Sequence, residues 1–190
     1  MKKFLIALIA TFSVLISTNA IAKNICVTST NEASIKTSCT ENCTGTDCSL
    51  RGALELAQSG DKIIFSNTIL AGNQILLKSP LAIRQENITI EGNSNHNAVI
   101  RGDKTFNCLE VGSSNNTISN MVIQNCLSGI LITKNSINNK IFSNLIGLFS
   151  DGVNASTSTG NDVGIWVSGN SNNIGSDFSV STSNNTQGNV

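Results

Sequence analysis

The sequence predicts an all-β solenoid, closed at its beginning by one short helix. Two observations predict the solenoid. Short apolar runs recur along the chain, each bounded by Asn, Gly and Ser: "NITIEG", "NAVIRG", "NCLEVG", "SGILIT", "VGIWVSG". Runs this short with alternating aliphatic residues indicate strands. The runs are also copies of one another. "CLEVGSSNNTIS", "GILITKNSINNKIF" and "GIWVSGNSNNIGS" overlay so that Leu109, Ile130 and Ile165 correspond, as do Val111, Ile132 and Val167. The first offset is 21 residues and the second 35, the excess falling in the polar stretch "FSDGVNASTSTGND". Ile118, Val122 and Ile123 recur 23 residues later at Ile141, Leu145 and Ile146.

A repeat of this length cannot bury its aliphatic face alone and must stack on copies of itself. Asn116, Asn139 and Asn173 are expected at matching turns, one or two residues ahead of Ile118, Ile141 and Ile174. Asparagine tolerates the left-handed backbone of tight corners, and equivalent amides can bond up a stack. A sandwich of antiparallel hairpins would not return equivalent residues at coil spacing.

Taken in order, residues 1–22 have the form of a signal peptide. Lys2 and Lys3 precede the apolar run Phe4 to Ile16, and Ala20-Ile21-Ala22 offers a small-x-small cleavage pattern. The run falls short of the roughly 20 apolar residues that span a bilayer, and no later segment could span one. The mature chain is therefore expected to be exported: secreted, on the cell surface or periplasmic. Without Lys2 and Lys3, ten basic residues face twelve acidic ones. That balance gives no long-range pull toward nucleic acid or anionic lipid. All six cysteines lie in the mature part, an even number in an exported chain, which points to disulfides rather than zinc.

The N-terminal cap is expected over residues 23–62. In "CSLRGALELAQSGDKIIF", Ser49 is a good helix N-cap, and Leu50, Ala53, Leu54 and Ala57 form one apolar face. Gly60 can terminate the helix, and Ile63-Ile64-Phe65 starts the first strand. A solenoid end exposes core aliphatics and unpaired strand edges, and an amphipathic helix laid across it serves as a lid.

This stretch resembles the CSLREA-type cap of bacterial right-handed parallel β-helix proteins, which have the pectin-lyase-like fold. Cys48, Ser49, Leu50, Arg51, Ala53, Gly60, Asp61, Ile64 and Phe65 match the pattern, while Gly52 stands where Glu is usual. The missing Glu removes the reciprocal half of a capping box. "NLIG…DGVNASTSTGNDVGIWVSGNSNNIG…QGNV" is similar to the repeat of the same family. The resemblance covers nearly all of residues 39–190 and implies a right-handed parallel β-helix over residues 63–190. It also implies that the chain breaks off mid-pattern at Val190, as a fragment would. It further implies one bridge from Cys48 to Cys39 or Cys43, stapling the lid, with Cys26 taking the remaining partner. Cys108 and Cys126 are 18 apart, and the overlay sets Cys108 over Gly129. That leaves a three-residue offset, roughly 10 Å along a strand, which opposes a bridge unless a corner brings them together.

β-Helix lyases and hydrolases work with clustered or paired carboxylates, often with Ca²⁺. No such constellation is legible, so no catalytic residue is assigned. Asp151 and Asp162 flank the inserted stretch beside Asn154 and Asn161 and form the one candidate Ca²⁺ pair; solvated loop residues are the simpler account. His96 and the Arg101-Gly102-Asp103 tripeptide are expected in turns. Trp166 lies between the inward Ile165 and Val167 and so points outward, in line with Leu131 and Glu110. Glu110, Leu131 and Trp166 are the candidate ligand strip, unless the insertion folds over them. The expected role is a scaffold presenting its sheets to a polysaccharide or cell-surface partner. The alternative is a polysaccharide lyase or glycoside hydrolase whose catalytic coils lie outside this chain.

Overall fold

The computed structural model describes residues 21–34, 36, 39–70, 73–149, 151–154, 156 and 158–175. The expected signal peptide, apart from Ile21 and Ala22, lies outside the described residues, as does the "QGNV" segment at which the repeat was expected to break off.

Isoleucine at one recurring phase organises the chain. The first strands and helices are β1 (Asn24–Val27), α1 (Leu50–Leu56), β2 (Lys62–Phe65), the single turn α2 (Asn67–Leu70), β3 (Gln74–Leu76) and β4 (Leu81–Ile83). Then follow β5 (Thr89–Glu91), β6 (Ala98–Arg101), β7 (Leu109–Val111), β8 (Thr117–Ser119) and β9 (Met121–Gln124). The chain continues through β10 (Ser128–Ile132), β11 (Lys140–Phe142), β12 (Leu145–Ile146), β13 (Val163–Val167) and β14 (Asn173–Ile174). Every pairing between them is parallel.

Three sheets result. The first runs β1-β2-β5-β8-β11-β14, the second β3-β6-β9-β12, and the third β4-β7-β10-β13. From β2 onward the chain visits first, second and third sheet in strict rotation, so each circuit adds one strand to each sheet. Ile25, Ile63, Ile90, Ile118, Ile141 and Ile174 stand in consecutive register up the first sheet. Ile75, Ile100, Ile123 and Ile146 do the same up the second. Leu81, Leu109, Ile130 and Ile165 rise in the third, beside Ile83, Val111, Ile132 and Val167. The expected overlay of Leu109, Ile130 and Ile165 is therefore the observed register. These columns meet in one core, in which most members are buried to within a few per cent; Ile146, Ile165 and Ile174 are partly buried against it, and Val167, expected to face inward, is 42% exposed on the last strand of the third sheet.

The corners explain the asparagines. Asn87, Asn115, Asn138 and Ser171 all hold a left-handed backbone, with φ of 60°, 61°, 58° and 58°. The residue after each carries the stack. Ile88 N–H donates to Asn116 Oδ1, Asn116 N–H to Asn139 Oδ1, and Asn139 N–H to Asn172 Oδ1, at 2.8, 2.8 and 2.9 Å. The third rung is thus Asn172, not the expected Asn173. The corner there is Ser171-Asn172, and Asn173 already pairs with Lys140 in the strand. Two further corners use the same device: Asn144 Oδ1 accepts from Met121 N–H, and Asn161 Oδ1 from Cys126 N–H.

The lid follows the amphipathic pattern. Ser49 Oγ accepts the Gly52 N–H at 3.0 Å, and Leu50, Ala53 and Ala57 are buried, with Leu54 packed against the core. The helix stops earlier than expected, at Leu56 with Ala57 as C-cap; Gly60, at φ +95°, instead turns the chain into β2. α1 lies against β1 and β4, across the start of the stack. The Cys26–Cys43 bridge ties the loop before it to β1, and Cys39–Cys48 closes that loop onto the residue just ahead of the N-cap. Cys108 and Cys126 are also joined, with Cα atoms 5.6 Å apart, against the expectation from their offset. Both sit where the chain turns from the second sheet into the third. At such a corner three residues of chain are not laid out along a strand, so the distance closes.

Candidate functional site

The outward face of the third sheet is built by the same register as its core. Inward neighbours Leu109, Val111, Ile130 and Ile132 are buried, so the residues between them point away from the core. Ala82, Glu110, Leu131 and Trp166 accordingly form one row across four strands. Trp166 is 57% exposed, while Ala82, Glu110 and Leu131 are half-buried. A second row lies two residues further on: Arg84, Gly112, Thr133 and Ser168. Its alignment is fixed by three equivalent bonds, Gly112 N–H to Ile83 O, Thr133 N–H to Val111 O and Ser168 N–H to Ile132 O. The face thus offers an aromatic ring, an aliphatic floor, hydroxyls and one carboxylate, whose Oε1 accepts from Asn107 Nδ2 at 3.0 Å.

Among its described residues the insertion does not cover Trp166, which stays 57% exposed. The insertion lies over the outer face of the second sheet, where Val99, Val122 and Gln124 are buried although they face away from the core column. Gln124 Nε2 donates to Leu148 O, Arg101 Nη2 to Ser158 O, and Asn125 N–H to Thr159 O.

At its lid end the row opens into a groove of about 430 Å³ between α1 and β4. Ala82, Pro80 and Arg84 line one side, and Lys36, Arg51 and Glu55 the other. Arg51 is locked: its guanidinium donates to the carbonyls of Ser79 and Pro80 and pairs with Glu32. Lys36 and Glu55 pair at 2.6 Å; the bond from Lys36, then that from Ser34, holds the Glu55 carboxyl below its usual range. Arg84 has neither an ion pair nor a side-chain hydrogen bond among the described residues.

The candidate cation residues are occupied separately. Asp151 caps its own turn, accepting the N–H groups of Val153 and Asn154 and the Asn154 side-chain amide. Asp162 pairs with Lys104 at 3.2 Å, and Asn161 serves the corner ladder. Among the described residues no three of His, Cys, Asp and Glu gather as a metal set. The Asn154 N–H first, then the Val153 N–H and the Asn154 side chain, hold the Asp151 carboxyl below its usual range. A lowered folded pKa means that the turn is supported above the ordinary aspartate value, about 3.9, and loses support as pH falls through the lower folded one. The amide shifts of Val153 and Asn154 should therefore titrate together with a midpoint below that value; a midpoint at or above it contradicts the turn.

His96 sits in a left-handed corner with Nε2 2.9 Å from Ser143 O. Arg101 is engaged by Ser158, and Asp103 caps Thr105, so the tripeptide is part of a corner. Ala82 and Arg84 escape notice in the sequence because their run precedes the three coils that overlay well. Yet "LAIR" has the pattern of "LEVG", "ILIT" and "IWVS", which was the available signal.

No family model, curated protein or solved structure matches the chain. Its class is therefore stated from the fold: an all-β chain of three parallel sheets, tied by three disulfides, with one short helix across the first coil. No helix among the described residues is long and apolar enough to cross a membrane.

Proposed function

We propose that the chain is an exported right-handed parallel β-helix that acts as a binding scaffold, presenting the outer face of its third sheet to a polysaccharide or cell-surface glycan. Right-handed winding is supported by the rule that parallel strands in one sheet are joined by right-handed crossovers in about 98% of cases. Export is supported by three disulfides in a small chain, which persist in oxidising compartments. The observation that carries the binding role is the register of Glu110, Leu131 and Trp166, with Trp166 uncovered. An exposed indole beside an aliphatic floor and hydroxyls suits the apolar face and the ring hydroxyls of a sugar. Such a patch is rigid because it stands on a sheet, so binding would order little of the protein.

A glycan array tests this directly. Trp166→Ala should weaken the bound glycans by about 2 kcal/mol, roughly thirtyfold, while leaving thermal stability unchanged. Equal binding by the variant removes the strip. Release of unsaturated products from uronic-acid polymers, followed by absorbance, would replace the scaffold with a lyase.

A further inference from the structure

We infer that the groove at the lid and the outward row are one continuous site, and that the glycan it takes carries an anionic group held at Arg84. This rests on the glycan-binding role proposed above and adds the chemistry of the ligand. Continuity is set by Ala82, which lines the groove and stands in register with Glu110 on the row. Charge decides the rest. Three cations, Lys36, Arg51 and Arg84, line the groove against one carboxylate, Glu55. Lys36 is neutralised by Glu55, and Arg51 by Glu32. Arg84 remains, exposed and without an ion pair among the described residues. Its planar fork matches a carboxylate or sulfate bidentately.

Glu110 gives the site a direction. It lies one strand beyond Ala82 and repels an anion from the middle of the row. The anionic group therefore belongs at the lid end and an uncharged ring on Trp166, three strands away, roughly 14 Å at about 4.8 Å per strand. An oligosaccharide of a few units, charged toward one end of the site, fits that layout.

The experiment uses an array in which each glycan backbone is present in neutral, carboxylated and sulfated forms. The intact protein should bind charged members at least about tenfold more tightly than their neutral partners, and added salt should erode that preference. The carboxylated and sulfated arms show which anion is preferred. Arg84→Gln should level charged and neutral members. Lys140→Gln, on the outward face of the first sheet, should leave the preference intact. Trp166→Ala should weaken both members of each pair alike. Glycans bound without regard to charge, or a preference that survives Arg84→Gln, overturn the inference and leave the scaffold role standing. Binding to no glycan at all overturns both.

Discussion

Asn139→Ala is expected to destabilise the protein by about 2–5 kcal/mol, far more than a polar-to-alanine change at an exposed corner. Asn139 is fully buried. Its Oδ1 accepts the Asn116 N–H at 2.8 Å, and its Nδ2 donates to Ser113 O at 3.1 Å and to Asn172 Oδ1 at 3.0 Å. Alanine would leave a backbone donor and a backbone acceptor of the coil below without partners, at about 1–3 kcal/mol each. The side-chain volume lost adds a cavity. Asn139→Asp keeps the acceptor but loses the donor and buries a carboxyl, so it should not rescue. Asn135→Ala, exposed four residues earlier, should stay within about 0.5 kcal/mol. Chemical denaturation of the three variants compares them, and an Asn139→Ala loss as small as that of Asn135→Ala would mean the ladder is ornamental.

The same corner shows how far the sequence could be followed. Between Asn115 and Ile141 the two asparagine pairs are spaced alike, and the overlay found the correct rungs, Asn116 and Asn139. One coil further the pair is Asn172-Asn173, but the corner is Ser171-Asn172, so matching letters shifted the rung by one. Left-handed backbone is compatible with serine as well as asparagine, and identity alone does not reveal which residue adopts it. The six-isoleucine column was only half legible for a related reason. From Ile63 to Ile90 the circuit takes 27 residues, yet from Ile118 to Ile141 only 23, because the connections between strands differ in length while the register of paired strands is kept. Periodicity is a property of the sheets, and the corners hide it.

The disulfides divide along the same line. Cys39–Cys48 lies within the pairings that the resemblance implied. Cys108–Cys126 was opposed by a distance counted along a straight strand, and the chain bends there instead. For the candidate site, alternation about Ile165 and Val167 predicts an outward Trp166, and Trp166 is 57% exposed, but Val167 is 42% exposed as well, so the alternation is not mirrored in burial on that strand. Nothing in the sequence could place Arg84 beside Arg51, because that neighbourhood is made by the lid helix folding back on the first strand of a different sheet.

Leu50→Ala should cost about 2–5 kcal/mol and should also make the protein self-associate. The two effects have different sources. Leu50 is 1% exposed and belongs to the core cluster, so its loss leaves a cavity under α1. α1 has only seven residues, too short to persist in water alone, and is held by Ser49, by its apolar face and by the Cys39–Cys48 bridge next to it. Weakening the apolar face loosens the lid, and what lies beneath is the first strand of the third sheet, β4, with β7 on only one side. An uncovered parallel edge backed by aliphatic columns is a template for another chain. Leu56→Ala provides the contrast, since Leu56 is on the same helix but 37% exposed. It should change stability by about 0.5 kcal/mol or less and leave the protein as it was by size-exclusion chromatography. If the two leucines prove equivalent in both measurements, α1 is a surface helix and the start of the stack is protected by something else.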